Sequence, residues 1–204
     1  IFDAADELVM GPVGRWDGTQ WSPLVTGLDD GVLSLAVFDD GTGPALFAGG
    51  SFQAGGATRL PAVGRWTGTG WARLDSAGPD QFTTVHAMTV FDDGSGPALY
   101  VGGESPPITG IPQERKHLAR WTGAGWEAVG GGISVNGNHT FARVATLATL
   151  DDGSGPALYV AGQFTEAGGV LAFGIARWDG SSWSNVGSLP SIQALAVFDD
   201  GGGP

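Results

Sequence analysis

The chain has no cysteine, so disulfide frameworks, thiolate nucleophiles and thiolate metal sites are all excluded. Cations are scarce: nine Lys and Arg stand against 21 Asp and Glu, for a formal charge of −12. Nucleic acids and anionic membranes are held by clustered basic residues, so neither is an expected partner. No apolar run approaches the roughly eighteen residues of a membrane span, and no charged-then-apolar leader opens the sequence. The first residue is not Met, which suits a chain whose signal peptide has been removed, and the expectation is a secreted or cell-surface bacterial protein. No window carries a sustained helical period with caps.

What is abundant is glycine, at 37 residues, together with twelve prolines, eight tryptophans and ten phenylalanines in 204. Their regular placement argues for short strands cut by tight turns rather than for disorder. Arg-Trp recurs at 15/16, 65/66, 120/121 and 177/178, at intervals of 50, 55 and 57 residues. A second Trp follows five residues on, at Trp21, Trp71, Trp126 and Trp183. Fixed recurrence of this kind marks a repeat architecture.

One unit reads as four strands. The first is VLSLAVF at 32–38, matched by 85–91, 144–150 and 192–198; the second is ALFAGG, ALYVGG or ALYVAG; the third carries Arg-Trp and the fourth the second Trp. Asp-Asp-Gly-x-Gly-Pro joins the first two strands, and its residue types favour a tight turn. The expected class is therefore all-β, a β-propeller of four-stranded blades that stack radially because no blade buries both its faces alone. A unit of about 50 residues gives four blades, over 1–31, 32–82, 83–141 and 142–191, with 192–204 completing the first. ELVMGPVGRWDGTQW near the head supplies second, third and fourth strands and IQALAVF at the tail a first strand, so the two ends are expected to share one blade. The alternatives are a five-bladed ring, an open fragment of a longer array, or closure by strand exchange between two copies in place of a monomer.

The strands ending in FAGG or YVGG, each followed by an aromatic and then Trp about six residues on, resemble the kelch family of propellers. Arg-Trp stands where kelch repeats usually carry a Tyr-Asp-Pro type segment. The units also look like repeats of large exported bacterial proteins of unknown role. The resemblance implies a fold more than a function. Kelch relatives with a copper radical centre need a Cys cross-linked to Tyr, which a chain with no Cys cannot build. Other relatives hold acidic peptides through arginine rings, which a chain of pI 4.3 does not suit.

The turns hold Asp39, Asp40, Asp92, Asp93, Asp151, Asp152, Asp199 and Asp200. Calcium needs more oxygen ligands than one Asp pair offers, so hairpin formation is preferred over a calcium site and no other cofactor is implied. Arg15, Arg65, Arg120 and Arg177 recur with the fold, which points to packing on an indole and pairing with a turn carboxylate. His86, His117 and His139 do not recur, and nothing pairs them with a nucleophile or a metal set.

The variable segments carry more information. From the glycine ending the second strand to the next Arg, the connection spans 15 residues (Gly50 to Arg65), 17 (Gly103 to Arg120), 15 (Gly162 to Arg177) and 4 (Gly11 to Arg15). These connections and the links between units are expected on one face, where binding sites on rigid scaffolds gather. ESPPITGIPQERKH at 104–117 and GGGISVNGNHTF at 130–141 are the most distinctive. Glu104, Arg115, Lys116, His117, Asn136, Asn138 and His139 are the candidate contacts for a protein or carbohydrate ligand. No catalytic set is recognisable. The expectation is a non-catalytic binding or scaffolding module, with a lectin-like propeller or a purely structural repeat as alternatives.

Overall fold

The computed structural model describes residues 11–24, 27–74, 82–105, 117–139 and 141–198. Every regular element in them is a strand. A two-stranded hairpin, β1 (Gly14–Trp16) and β2 (Trp21–Pro23), comes first. The first four-stranded sheet follows: β3 (Val32–Asp39), β4 (Pro44–Gly50), then a small hairpin β5 (Ala54–Gly55) and β6 (Thr58–Arg59), then β7 (Val63–Trp66) and β8 (Trp71–Ala72), in order β3-β4-β7-β8. The second sheet is β9 (Thr84–Asp92), β10 (Pro97–Glu104), β11 (Leu118–Trp121) and β12 (Trp126–Ala128). After β13 (Ile133–Ser134) come β14 (Arg143–Asp151), β15 (Pro156–Gln163), the small hairpin β16 (Glu166–Ala167) and β17 (Val170–Leu171), then β18 (Ile175–Trp178) and β19 (Trp183–Asn185); β14-β15-β18-β19 is the third sheet. All pairings are antiparallel.

The Asp-Gly chemistry closes each first hairpin. Asp39 Oδ1 accepts from the N–H groups of Gly41 and Gly43 at 2.9 and 3.0 Å, and Asp92 and Asp151 repeat this with Gly94/Gly96 and Gly153/Gly155. At the other edge the two Trp of each unit are direct cross-strand partners, with ring centroids 5.1 to 5.5 Å apart in all four copies. Such aromatic pairs are a main source of stability in short antiparallel ladders.

The cores lie between sheets, not within them. Along β10, Leu99 and Val101 join a cluster with Phe38, Phe47 and Val63 of the first sheet, while Ala98 and Tyr100 join one with Val144, Leu158 and Val160 of the third. A period-two strand covered on both faces is apolar nearly throughout, which is why ALYV carries no charged side chain and only the tyrosine hydroxyl as a polar group. The first strands of the three sheets, β3, β9 and β14, touch in series.

Both glycines ending the second strand serve this stacking. A Cβ on Gly49 would collide with Val85 of the next sheet, and one on Gly102 with Val144. A Cβ on Gly50, Gly103 or Gly162 would strike the carbonyl at or just before the start of the first strand of its own sheet, that of Gly31, Thr84 or Arg143. The register shifts of the first hairpins fall at these same points.

Two expectations need correction. The connections within the first and third units are not plain loops: β5–β6 and β16–β17 are hairpins, and the preceding links dock on them through the Leu28–Gly55 bridge and the β13–β16 pair. Residues 192–198, expected as a fourth first strand, form no strand, and no ladder joins them to β1–β2 among the described residues. A strand exists only where a ladder partner satisfies its backbone, and this segment has the pattern without the partner. Its position still follows the repeat: Ile192 and Leu195, which align with Val85 and Met88, are its two partly buried residues, and Gln193 Oε1 accepts from Arg143 at 2.8 Å. At the head, Val13 and Leu24 pack on Leu28, Phe52, Leu60 and Trp71, much as Leu118 and Val129 pack on Ile133, Phe164, Ala172 and Trp183. The expected second strand at the head falls mostly outside the described residues.

Candidate functional site

The two ends of the sheets differ in kind. One end repeats almost atom for atom. In the second sheet the Tyr100 hydroxyl donates to Asp93 Oδ2 at 2.7 Å, Arg120 donates to the same oxygen, and Ser95 donates to Oδ1 at 2.6 Å. Arg120 also holds Glu127 at 2.8 Å. The third sheet repeats the core of this with Tyr159, Asp152, Ser154 and Arg177. The first has Phe47 in place of Tyr, leaving Arg65 on Asp40 at 2.8 Å and on Thr42 Oγ1. Burial raises the Asp93 carboxyl, but Ser95, Tyr100 and Arg120 together hold it below its usual range. The Ser154 hydroxyl, then Tyr159, the Ser154 N–H and Arg177 bring Asp152 down to about 2. Burial, then the bond to its aspartate, raises both tyrosines. These carboxylates are occupied by the fold's own donors. Among the described residues no group of three or more His, Asp or Glu is placed to hold a metal ion.

The opposite end is where the copies diverge. The pair flanking each first hairpin at this end is Thr84 and Glu104 in the second sheet and Arg143 and Gln163 in the third, cross-strand partners in both. The corresponding residues of the first sheet are Gly31 and Ser51. Between the second and third sheets lies a pocket of about 250 Å³ lined by Glu104, Ser105, His117, Phe141, Ala142, Arg143 and Gln163.

His117 forms a wall of this pocket. Its backbone has φ 65°, and Ala62 (62°) and Gly174 (83°) share that left-handed conformation at the same point before the third strand. The position therefore does recur; only its side chain is new. The ring is buried, with Nδ1 accepting from the Ser105 N–H at 3.3 Å and Nε2 against the carbonyl of His139. That pattern places the proton on Nε2 and leaves the imidazole neutral. His139 in turn donates from Nδ1 to the Ile133 carbonyl at 2.6 Å.

Of the seven candidates, Glu104 and His117 line the pocket and His139 supports it through its carbonyl. Asn136 and Asn138 lie on an adjoining turn closed by the Val135–Asn138 bridge, with Asn136 and Gly137 at φ 49° and 72°. That turn is tied to Thr165 and Glu166 and does not line the pocket. Arg115 and Lys116 fall outside the described residues. Sequence reasoning missed Phe141, Arg143 and Gln163. The available signal was non-repetition: in strands copied almost residue for residue, Arg143 and Gln163 are where the copies disagree in charge and size.

Arg143 carries the local electrostatics. Its NH2 donates to Gln193 Oε1 at 2.8 Å, while its buried Nε has no hydrogen-bond partner. Across the pocket Glu104 Oε1 lies 3.4 Å from His86 Nε2. Among the described residues no ion pair joins Glu104 to Arg143. Phe141 is 68% exposed at the rim. Among the described residues no helix is long and apolar enough to cross a membrane. No family model, no curated protein and no solved structure matches this chain.

Proposed function

We propose that this chain is a kelch-like propeller unit acting as a non-catalytic binding module of an exported bacterial protein, with its ligand held on the connection face. The observation that carries this reading is the divergent pocket, an open, polar cavity between two otherwise repetitive sheets, lined by Arg143, which has no carboxylate partner among the described residues. Rigid repeats that vary only at one end are a common way to present a site. A differential scanning panel of glycans, amino acids and short peptides tests it: a ligand that raises the melting temperature of the wild type and of Gln20→Ala, but not of Arg143→Gln, supports the module. Equal shifts in all three proteins contradict it.

A carbohydrate-binding reading is favoured by Phe141, since an exposed ring beside Glu, Gln and Arg is the usual furniture of a sugar site. Loss of glycan binding in Phe141→Ala would support that version.

The same reading completes the ring with a fourth sheet. The β1–β2 hairpin packs on the first sheet as an outer half would, and 192–198 lies on the third sheet as an inner strand would. Their union, within one chain or between two copies, gives four blades.

A further inference from the structure

We propose that the pocket between the second and third sheets takes a small zwitterion of the α-amino acid class, its carboxylate on Arg143 and Gln163 and its ammonium on Glu104. This rests on the binding-module reading and names the ligand class for that site.

The chain shows how it partners half-buried arginines. Three arginine Nε atoms, on Arg65, Arg143 and Arg177, are buried without a well-aligned hydrogen bond. Two of them have an aspartate close by, with Asp40 Oδ2 at 2.8 Å from Arg65 Nε and Asp152 Oδ2 at 3.6 Å from Arg177 Nε. Arg143 has no carboxylate beside it among the described residues and instead faces the pocket. Its NH2 is spent on Gln193, a neutral amide, which leaves the guanidinium charge uncompensated among the described residues. A planar guanidinium prefers a carboxylate, and charge-assisted hydrogen bonds are roughly twice as strong as neutral ones. Gln163, directly across the ladder, adds an amide donor on the same wall.

The other wall selects against a simple anion. Glu104 carries a negative charge into the same cavity, and the whole chain has a formal charge of −12. That field repels anions over long range but leaves a neutral zwitterion indifferent. An ammonium beside Glu104 then meets the charge that a bare carboxylate would avoid. His117 offers no further polar contact through its ring, since both nitrogens are engaged. Phe141 and Ala142 supply the apolar patch for a side chain. A volume of about 250 Å³ lies below the range of drug-sized pockets and suits one amino acid.

The test is calorimetric titration with L-leucine, with 3-methylbutylamine, which lacks the carboxylate, and with 4-methylpentanoate, which lacks the ammonium. N-acetylglucosamine is titrated in parallel. The expected result is leucine binding at least about tenfold tighter than either analogue. Arg143→Gln should remove that advantage over the amine. Glu104→Gln should raise 4-methylpentanoate to the level of leucine, and because it adds a neutral isostere at a half-exposed position it also guards against a variant that fails to fold. Leucine and its analogues binding equally, or leucine binding unchanged by both substitutions, would overturn the assignment. Sugar binding without leucine binding, abolished by Phe141→Ala, overturns the zwitterion but leaves the binding module standing. Silence from every ligand overturns both.

Discussion

Leu35 and Met88 occupy the same place in two copies of one strand, yet Leu35 is 50% exposed and Met88 only 9%. The strands carry the same alternation and the same bulged register with their hairpin partners. What differs is the neighbour. Met88 lies against Gly49 of the preceding sheet, whereas the β1–β2 hairpin that precedes β3 covers only its outer neighbours, leaving Leu33, Leu35 and Val37 exposed. Pattern decides that a segment can be a strand; the adjoining sheet decides whether its apolar face is buried.

The widest break in that comparison comes from truncating the two residues. Met88→Ala should cost about 3 kcal/mol, the usual range for a buried side chain, and Leu35→Ala less than about 0.5 kcal/mol, as for an exposed one. Urea midpoints at constant slope measure both. Similar losses at the two positions would mean that Leu35 is covered in solution. The next largest effect lies on the facing surface. Gly102→Ala pushes a methyl into Val144 and should cost about 2 kcal/mol, whereas the third copy already carries the buried Ala161 there, so Ala161→Gly should cost about 1 kcal/mol or less.

A smaller effect separates the first sheet from the other two. Tyr100→Phe leaves Asp93 with one donor fewer and makes the second sheet resemble the first, where Phe47 already stands; about 1.5 kcal/mol is expected from denaturant melts. The smallest effect is in acid. Asp93 and Asp152 both have folded-state pKa values below their unfolded ones, so their contribution is complete above about pH 4 and is lost as pH falls; for Asp152 it fades as pH approaches about 2. Asp152→Asn should therefore flatten the stability profile between those limits, read from melting temperatures at successive pH values, and leave it parallel to wild type above them.

Much of the molecule was legible because its determinants are local. Paired Trp five residues apart enforce the outer hairpin, and Asp39, Asp92 and Asp151 fold the inner one with their own carboxylates. The short β5–β6 and β16–β17 hairpins escaped notice because two-residue strands have no period to read, and they are held by links some 25 to 35 residues away, as at Leu28–Gly55 and Ser134–Glu166. The tail was misread for the opposite reason: 192–198 copies the local pattern in full, but its ladder depends on a strand from elsewhere. Glu104 and His117 could be picked out as odd residues in a variable segment. Arg143 could not be read as a site residue without knowing which sheets adjoin, because its significance lies in lining one pocket with Glu104 of the neighbouring sheet.

The proposed union of the head hairpin and the 192–198 segment in one sheet makes a sharp geometric demand. Gly123 and Gly180 sit in the outer turns of the second and third sheets, each pressed against the second Asp of the preceding inner turn, Asp40 and Asp93, with 3.1 Å from an ideal Gly180 Cβ to the Asp93 Cβ. In a completed ring Gly18 takes that place beside Asp152. Because the chain has no cysteine of its own, the double variant Gly18→Cys/Asp152→Cys can be oxidised and its disulfide mapped by mass spectrometry without competition. A bond forming readily, within one chain or between two, is the predicted result; a folded protein whose two thiols both stay free would contradict it.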